Sequence, residues 1–102
     1  MINIIAVIES SADDIEALRE VIAEMETASR AEPGCEDYTF CQEVSDPNRL
    51  RINELWKSMD DLQAHFATPH MAKFNEAVAA RPPRSMNLRI HELGEEQTLP
   101  GN

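Results

Sequence analysis

In residues 2–9 (INIIAVIE), Ile2, Ile4, Ala6 and Ile8 fall on one side of an extended chain and Asn3, Ile5, Val7 and Glu9 on the other. Both sides carry apolar groups, so the strand predicted here expects cover on both faces. After Ser11 the period changes. Ile15, Leu18, Ile22 and Met25 recur at spacings of three and four, which predicts an amphipathic helix. Ser11 with Asp14 resembles a capping box, Asp13 and Asp14 suit the positive end of the helix dipole, and Pro33-Gly34 ends the segment. Residues 37–44 (DYTFCQEV) read as a second strand, with Tyr38, Phe40, Gln42 and Val44 on one side. The turn Ser45-Asp46-Pro47-Asn48 then joins it to a third strand over 49–57 as a hairpin. Ser58 and Asp61 open a short helix bearing Leu62 and Phe66. Thr68 caps another, with Pro69 at its first position and Met71, Phe74 and Val78 as its stripe. Pro82-Pro83 stops that helix, and residues 85–93 form the last strand, with Met86, Leu88 and Ile90 on one face.

The order strand, helix, strand, strand, helix pair, strand is the split βαβ, or ferredoxin-like, arrangement. It predicts an α+β domain over residues 1–94, a four-stranded antiparallel sheet with helices on one face, followed by a polar tail over 95–102. The helix-free face would show Ile, Val and Leu to water, and such a patch marks an interface. A second copy packing sheet to sheet would cover it, so a homodimer through the sheet face is expected.

Composition narrows the partners. The chain has 102 residues, enough for one domain. Its 9 basic and 19 acidic residues give a formal charge of −10, which repels phosphate backbones and anionic lipid heads. Nucleic acid and membranes are therefore not expected partners. No apolar run approaches the ~20 residues of a membrane-spanning helix, and no export signal is read at the N-terminus. Two cysteines, Cys35 and Cys41, make no disulfide framework and have no redox-pair spacing, so a cytoplasmic protein with free thiols is expected.

Residues 53–78 (NELWKSMDDLQAHFATPHMAKFNEAV) carry a more specific pattern: Glu54 and Trp56 at a strand end, Ala64-His65 at the end of a short helix, then Thr68-Pro69-His70. Upstream stands EPGCEDY at 32–38. With these motifs, residues 2–93 resemble the antibiotic biosynthesis monooxygenase family, most closely its bacterial quinol monooxygenase branch. The resemblance implies a dimeric α+β barrel with a pocket between sheet and helices in each subunit. It also implies oxidation of a small aromatic quinol by oxygen without flavin, haem or metal. In the family's haem-degrading branch a histidine and a tryptophan mark the pocket. The matching positions here hold Asn75 and His65, so haem degradation is not expected.

The residues themselves leave alternatives open. Glu54 shares a strand face with Ile52 and Trp56, and a carboxylate placed there needs a partner. His65 borders the apolar helix face of Leu62 and Phe66 and could meet Glu54, becoming a general base for a phenolic proton. A Glu–His pair is equally well a satisfied structural contact. His70 would line the pocket mouth or lie on the surface. Trp56, Tyr38, Phe40, Met71, Phe74 and Met86 would wall an aromatic-binding cavity or serve as plain core. The spacing of His65, His70 and His91 matches no metal motif, and with three glycines there is no phosphate-binding loop. Two rival functions remain: isomerisation of a small phosphorylated ketone, with Arg51, Arg81, Arg84 and Arg89 available as a phosphate grip, and small-molecule binding without turnover.

Overall fold

Along the first strand every second residue is sealed: Ile2, Ile4, Ala6 and Ile8 are buried while Ile5 and Glu9 are exposed. This strand, β1 (Ile2–Glu9), is the centre of the computed structural model, which describes residues 1–101. The elements that follow are α1 (Ala12–Ala17), α2 (Arg19–Arg30), β2 (Cys35–Gln42), β3 (Arg49–Trp56), α3 (Met59–Phe66), α4 (Pro69–Ala80) and β4 (Ser85–Glu92). The sheet order is β2-β3-β1-β4, antiparallel throughout, with Ala6 facing Ile52 on one side and Leu88 on the other. This is the α+β split βαβ arrangement expected from the hydrophobic pattern.

The predicted caps form. Ser11 accepts from the Asp14 N–H, Ser58 from Asp61 and Thr68 from Met71, each satisfying a helix N–H that has no partner within its own helix. Two boundaries differ from the sequence reading. The first helix divides at Leu18, whose backbone (φ −91°, ψ 0°) departs from regular α-helical values and whose N–H reaches both the Asp14 and Ile15 carbonyls. No proline or glycine marks the place. The apolar stripe continues across the break, with Ile15 and Met25 buried. The second strand lies two residues earlier than expected. Gly34 turns the chain at φ +82°, pairing with β3 begins at Cys35, and Val44 is fully exposed in the hairpin loop.

The inner face of the sheet meets α2, α3 and α4 in a core built on Ile4, Met25, Tyr38, Trp56, Leu62 and Phe74. The helices stop short of covering β4. Its inward residues Met86, Leu88 and Ile90 remain about half exposed, at 54, 47 and 46%. The opposite, helix-free face carries apolar Ile5, Val7 and Leu55 among Asn3, Arg51, Asn53, Asn87 and Arg89. Uncovered apolar surface is thus concentrated on the helix side of the edge strand, and the helix-free face is more polar than the sequence pattern suggested. Of the tail expected over 95–102, residues 95–101 are exposed and form no helix or strand, and Asn102 lies outside the described residues.

Gly34 holds the turn that feeds β2, and a Cβ there would collide with the Asp61 side chain on α3. The left-handed backbone alone costs a non-glycine residue about 1–2 kcal/mol. Gly34→Ala is expected to lower stability by at least that much in urea unfolding, while Gly94→Ala, with nothing around it, leaves the midpoint unchanged.

Candidate functional site

Glu54 is carried into the protein by the strict alternation of β3, in which Leu50, Ile52, Glu54 and Trp56 all turn inward. Its neighbour in register on β2 is Tyr38 and on β1 is Ile4, both buried. Among the described residues the carboxylate has one side-chain donor, the Trp56 indole, with Nε1 2.9 Å from Oε1. Burial pushes the Glu54 carboxyl up to about 7; the indole hydrogen bond opposes the shift, and the nearby charge of Glu32 adds to it. Burial, chiefly, and then the Glu54 charge also push the Tyr38 phenol above its ordinary range, so it stays a neutral O–H.

Glu54 and Tyr38 line a cavity of about 160 Å³ between the sheet and the helices. Ala6 forms part of its floor, and Met71, Phe74 and Asn75 of α4 lie on the helix side. Met86 and Leu88 of β4 complete the lining, and because both are half exposed the cavity reaches the surface along that strand. Apart from Glu54 and Arg81, the lining has no ionisable carboxylate, histidine, lysine or arginine.

The structure separates residues that the sequence grouped together. Glu54, Tyr38, Met71, Phe74 and Met86 line the cavity; His65, His70, Trp56 and Phe40 do not. Trp56 lies directly behind Glu54 and is fully buried, and Phe40 packs against Phe74 at 5.6 Å between ring centroids. The expected Glu54–His65 pair does not form. His65 Nδ1 instead lies 2.6 Å from Glu32 Oε2, because α3 directs the imidazole toward the turn after α2. On its other side the ring packs against Trp56 and Tyr38, at 4.8 and 5.2 Å between centroids.

His70 Nε2 reaches the same Glu32 oxygen at 2.8 Å. The spacing of His65 and His70 matches no metal motif, yet the path of the chain brings them together. Here Ala67 and Thr68 break the helix, and the second one turns His70 back toward the first. Glu32 is the residue that sequence reasoning missed. It opens the EPGCEDY segment at 32–38 and so stood inside a recognised motif, but its contacts depend on two later helices.

Of the four arginines available to grip a phosphate, only Arg81 lines the cavity, and it is paired with Asp14 at 3.1 Å. Arg51 and Arg89 lie on the helix-free face of the sheet, and Arg84 donates to the Ser10 carbonyl. Among the described residues no phosphate grip assembles at the cavity. Cys35 and Cys41 are free. Burial, then the charges of Glu32, Glu54 and Asp37, push the Cys35 thiol up to about 11, which keeps it protonated and a poor nucleophile.

The family model for antibiotic biosynthesis monooxygenase matches residues 1–77. The chain belongs to that family. Among solved structures, a Deinococcus radiodurans protein carrying the same family name has a TM-score of 0.89 at 24% identity, covering 99% of this chain and 100% of that one. The Mycobacterium tuberculosis protein Rv0793 has a TM-score of 0.83 at 25% identity over 95% of this chain and 98% of its own. A curated relative, the uncharacterized Synechocystis protein sll1783, is 32% identical over 71 residues. That match takes in 70% of this chain and 48% of the relative, so the chain spans about half its length. Antibiotic biosynthesis monooxygenase membership fits a pocket between sheet and helices. Among the described residues no helix is long and apolar enough to cross a membrane.

The buried carboxylate makes folding stability depend on pH. In the unfolded chain Glu54 ionises around its ordinary value of 4.5, whereas in the folded protein it does so near 7. The stability it contributes is therefore fully present below about pH 4.5 and is lost as pH rises to about 7. Full expression of that shift amounts to roughly 3 kcal/mol. Urea unfolding across this range is expected to show the decline in the wild type and a much flatter profile in Glu54→Gln.

Proposed function

We propose that this chain is a monooxygenase for a small, single-ring quinol, with Glu54 as the proton acceptor. The observation that carries this reading is a buried carboxyl poised near neutrality and lining a largely apolar cavity of about 160 Å³. An engineered apolar cavity of roughly 150 Å³ holds one benzene ring, so the volume suits a single aromatic ring. It does not suit a polyketide, a haem or a flavin, which supports a reaction carried by the substrate itself. Family membership supports the reaction class.

In this mechanism ionised Glu54 removes a hydroxyl proton from the quinol. The anion passes one electron to oxygen, and the resulting radical pair combines to form a C–O bond at a ring carbon. The peroxide then loses water: the O–O bond breaks, the ring carbon gives up its hydrogen as a proton, and a new carbonyl remains. The balance is quinol plus oxygen to hydroxyquinone plus water, with every electron supplied by the ring. Glu54 returns its proton to the departing water. The apolar walls strengthen the local electrostatics and keep bulk water from the peroxide. Tyr38, held neutral and lining the same cavity, would supply a hydrogen-bond donor for a second substrate oxygen. Trp56 and His65 act from behind, positioning the carboxylate through the indole.

A homodimer through the sheet face belongs to the same proposal, supported by apolar Ile5, Val7 and Leu55 among the polar residues of the helix-free face. The small volume also favours a second reading, binding without turnover, because sites for drug-sized ligands start at about 300 Å³.

Oxygen uptake is the test. Single-ring quinols are expected to be consumed and multi-ring phenols not. Activity should rise with pH through an inflection near 7, set by Glu54. Glu54→Gln is expected to lose at least about 100-fold, while His65→Ala retains proton abstraction. Full activity in Glu54→Gln would remove the acceptor assignment. Saturable binding of a quinol with no oxygen uptake would establish the second reading.

A further inference from the structure

Glu32, His65 and His70 form a cluster that the proposed reaction does not use, and none of them lines the cavity. Glu32 stands in the turn between α2 and β2, His65 in the last turn of α3, and His70 at the second residue of α4. Their donor atoms, Oε2, Nδ1 and Nε2, all lie within 4.8 Å of one another. His65 is fully buried, and the Glu32 and His70 side chains are only 12 and 18% exposed.

The scaffold behind these groups is tied down. The Glu32 N–H donates to the Ser29 carbonyl, and the Glu32 carbonyl accepts from Cys35, fixing the turn. Thr68 joins the two histidine-bearing helices. Its hydroxyl donates to the His65 carbonyl at 2.7 Å and accepts from the Met71 N–H at the start of α4. The donors are therefore held by hydrogen-bonded backbone, as a ligand site requires.

Read as hydrogen bonds alone, the arrangement is crowded. A carboxylate oxygen only accepts, so each imidazole must direct an N–H at the same Oε2, at 2.6 and 2.8 Å. A single cation could take the place of both protons. Two imidazole nitrogens and one carboxylate oxygen form the donor set preferred by zinc and related first-row divalent ions, rather than by calcium or magnesium. Around tetrahedral zinc, donor atoms sit about 3.3 Å apart, so each imidazole nitrogen has to move roughly half an ångström away from Glu32 Oε2. Among the described residues the Glu32 carboxylate makes no hydrogen bonds beyond these two, so the opening breaks no other contact. Three protein ligands leave a fourth position for water.

We propose that Glu32, His65 and His70 bind one divalent transition-metal ion, with zinc the ion their donors suit best. Such an ion clamps the turn after α2 to both α3 and α4. The proposal is independent of the reaction at Glu54.

The test is calorimetric titration of chelator-treated protein with zinc chloride, with the thermal midpoint measured in parallel. Wild-type protein is expected to bind one ion per chain and to melt higher once bound. Cobalt(II) should give the visible bands of a low-symmetry imidazole-ligated site. His70→Ala and Glu32→Gln are each expected to weaken zinc binding by more than about tenfold, since even outer-shell changes reach that size. His91→Ala, on the helix-free face, should leave binding unchanged. Should a variant fail to fold by circular dichroism, the wild-type stoichiometry and cobalt spectrum still decide. Absence of saturable binding in the wild type overturns the proposal. So does equal binding by folded wild type, His70→Ala and Glu32→Gln, which would place the ion on the acidic surface.

Discussion

The indole of Trp56 touches two buried polar groups, Glu54 and His65, and ties the cavity side of the core to the side facing the turn after α2. Among the described residues its N–H is the only side-chain donor to Glu54, and its ring packs against the His65 imidazole. A carboxylate without such a donor would be left unsatisfied in an apolar interior, and the imidazole shares its packing with Tyr38 and Phe66. One residue at the end of β3 thereby keeps a near-neutral carboxyl facing the cavity and a hydrogen-bonded histidine facing away from it. The two groups are coupled through packing, with no shared hydrogen bond.

Much of the fold was legible because its signals are local. The alternation in β1 and β3 and the caps at Ser11, Ser58 and Thr68 each depend on neighbours within a few residues. The break at Leu18 carries no glycine or proline, so nothing in the sequence pattern announced it. The shift of β2 follows from a glycine turn that closes one residue before the strand begins. The candidate site was legible only in part. Glu54 was found as a charged residue within an apolar strand pattern, a conflict that often marks function. Its partner was misread because Glu–His pairing depends on which way α3 is rolled over the sheet. No spacing along the chain encodes that angle. The same roll, together with the break at Thr68, brings Glu32, His65 and His70 together across 38 residues.

Surface apolarity makes a related point. A strand pattern states which side of β4 is apolar, yet not whether helices reach that far across the sheet. Here they leave Met86, Leu88 and Ile90 half exposed, and that margin is also where the cavity meets the surface. Coverage of the edge strand and access to Glu54 are therefore one structural question.

Ala6 occupies the middle of the central strand, with Ile4 and Ile8 as its neighbours on the same face and Ile52 and Leu88 beside it in register. The empty space above the sheet exists partly because this one position stops at a methyl group. Chamber size is thus adjustable by lengthening or branching a single rigidly mounted side chain, without moving backbone, helices or the acidic group. Lineages sharing this scaffold have a short mutational path between a roomy interior and a filled one.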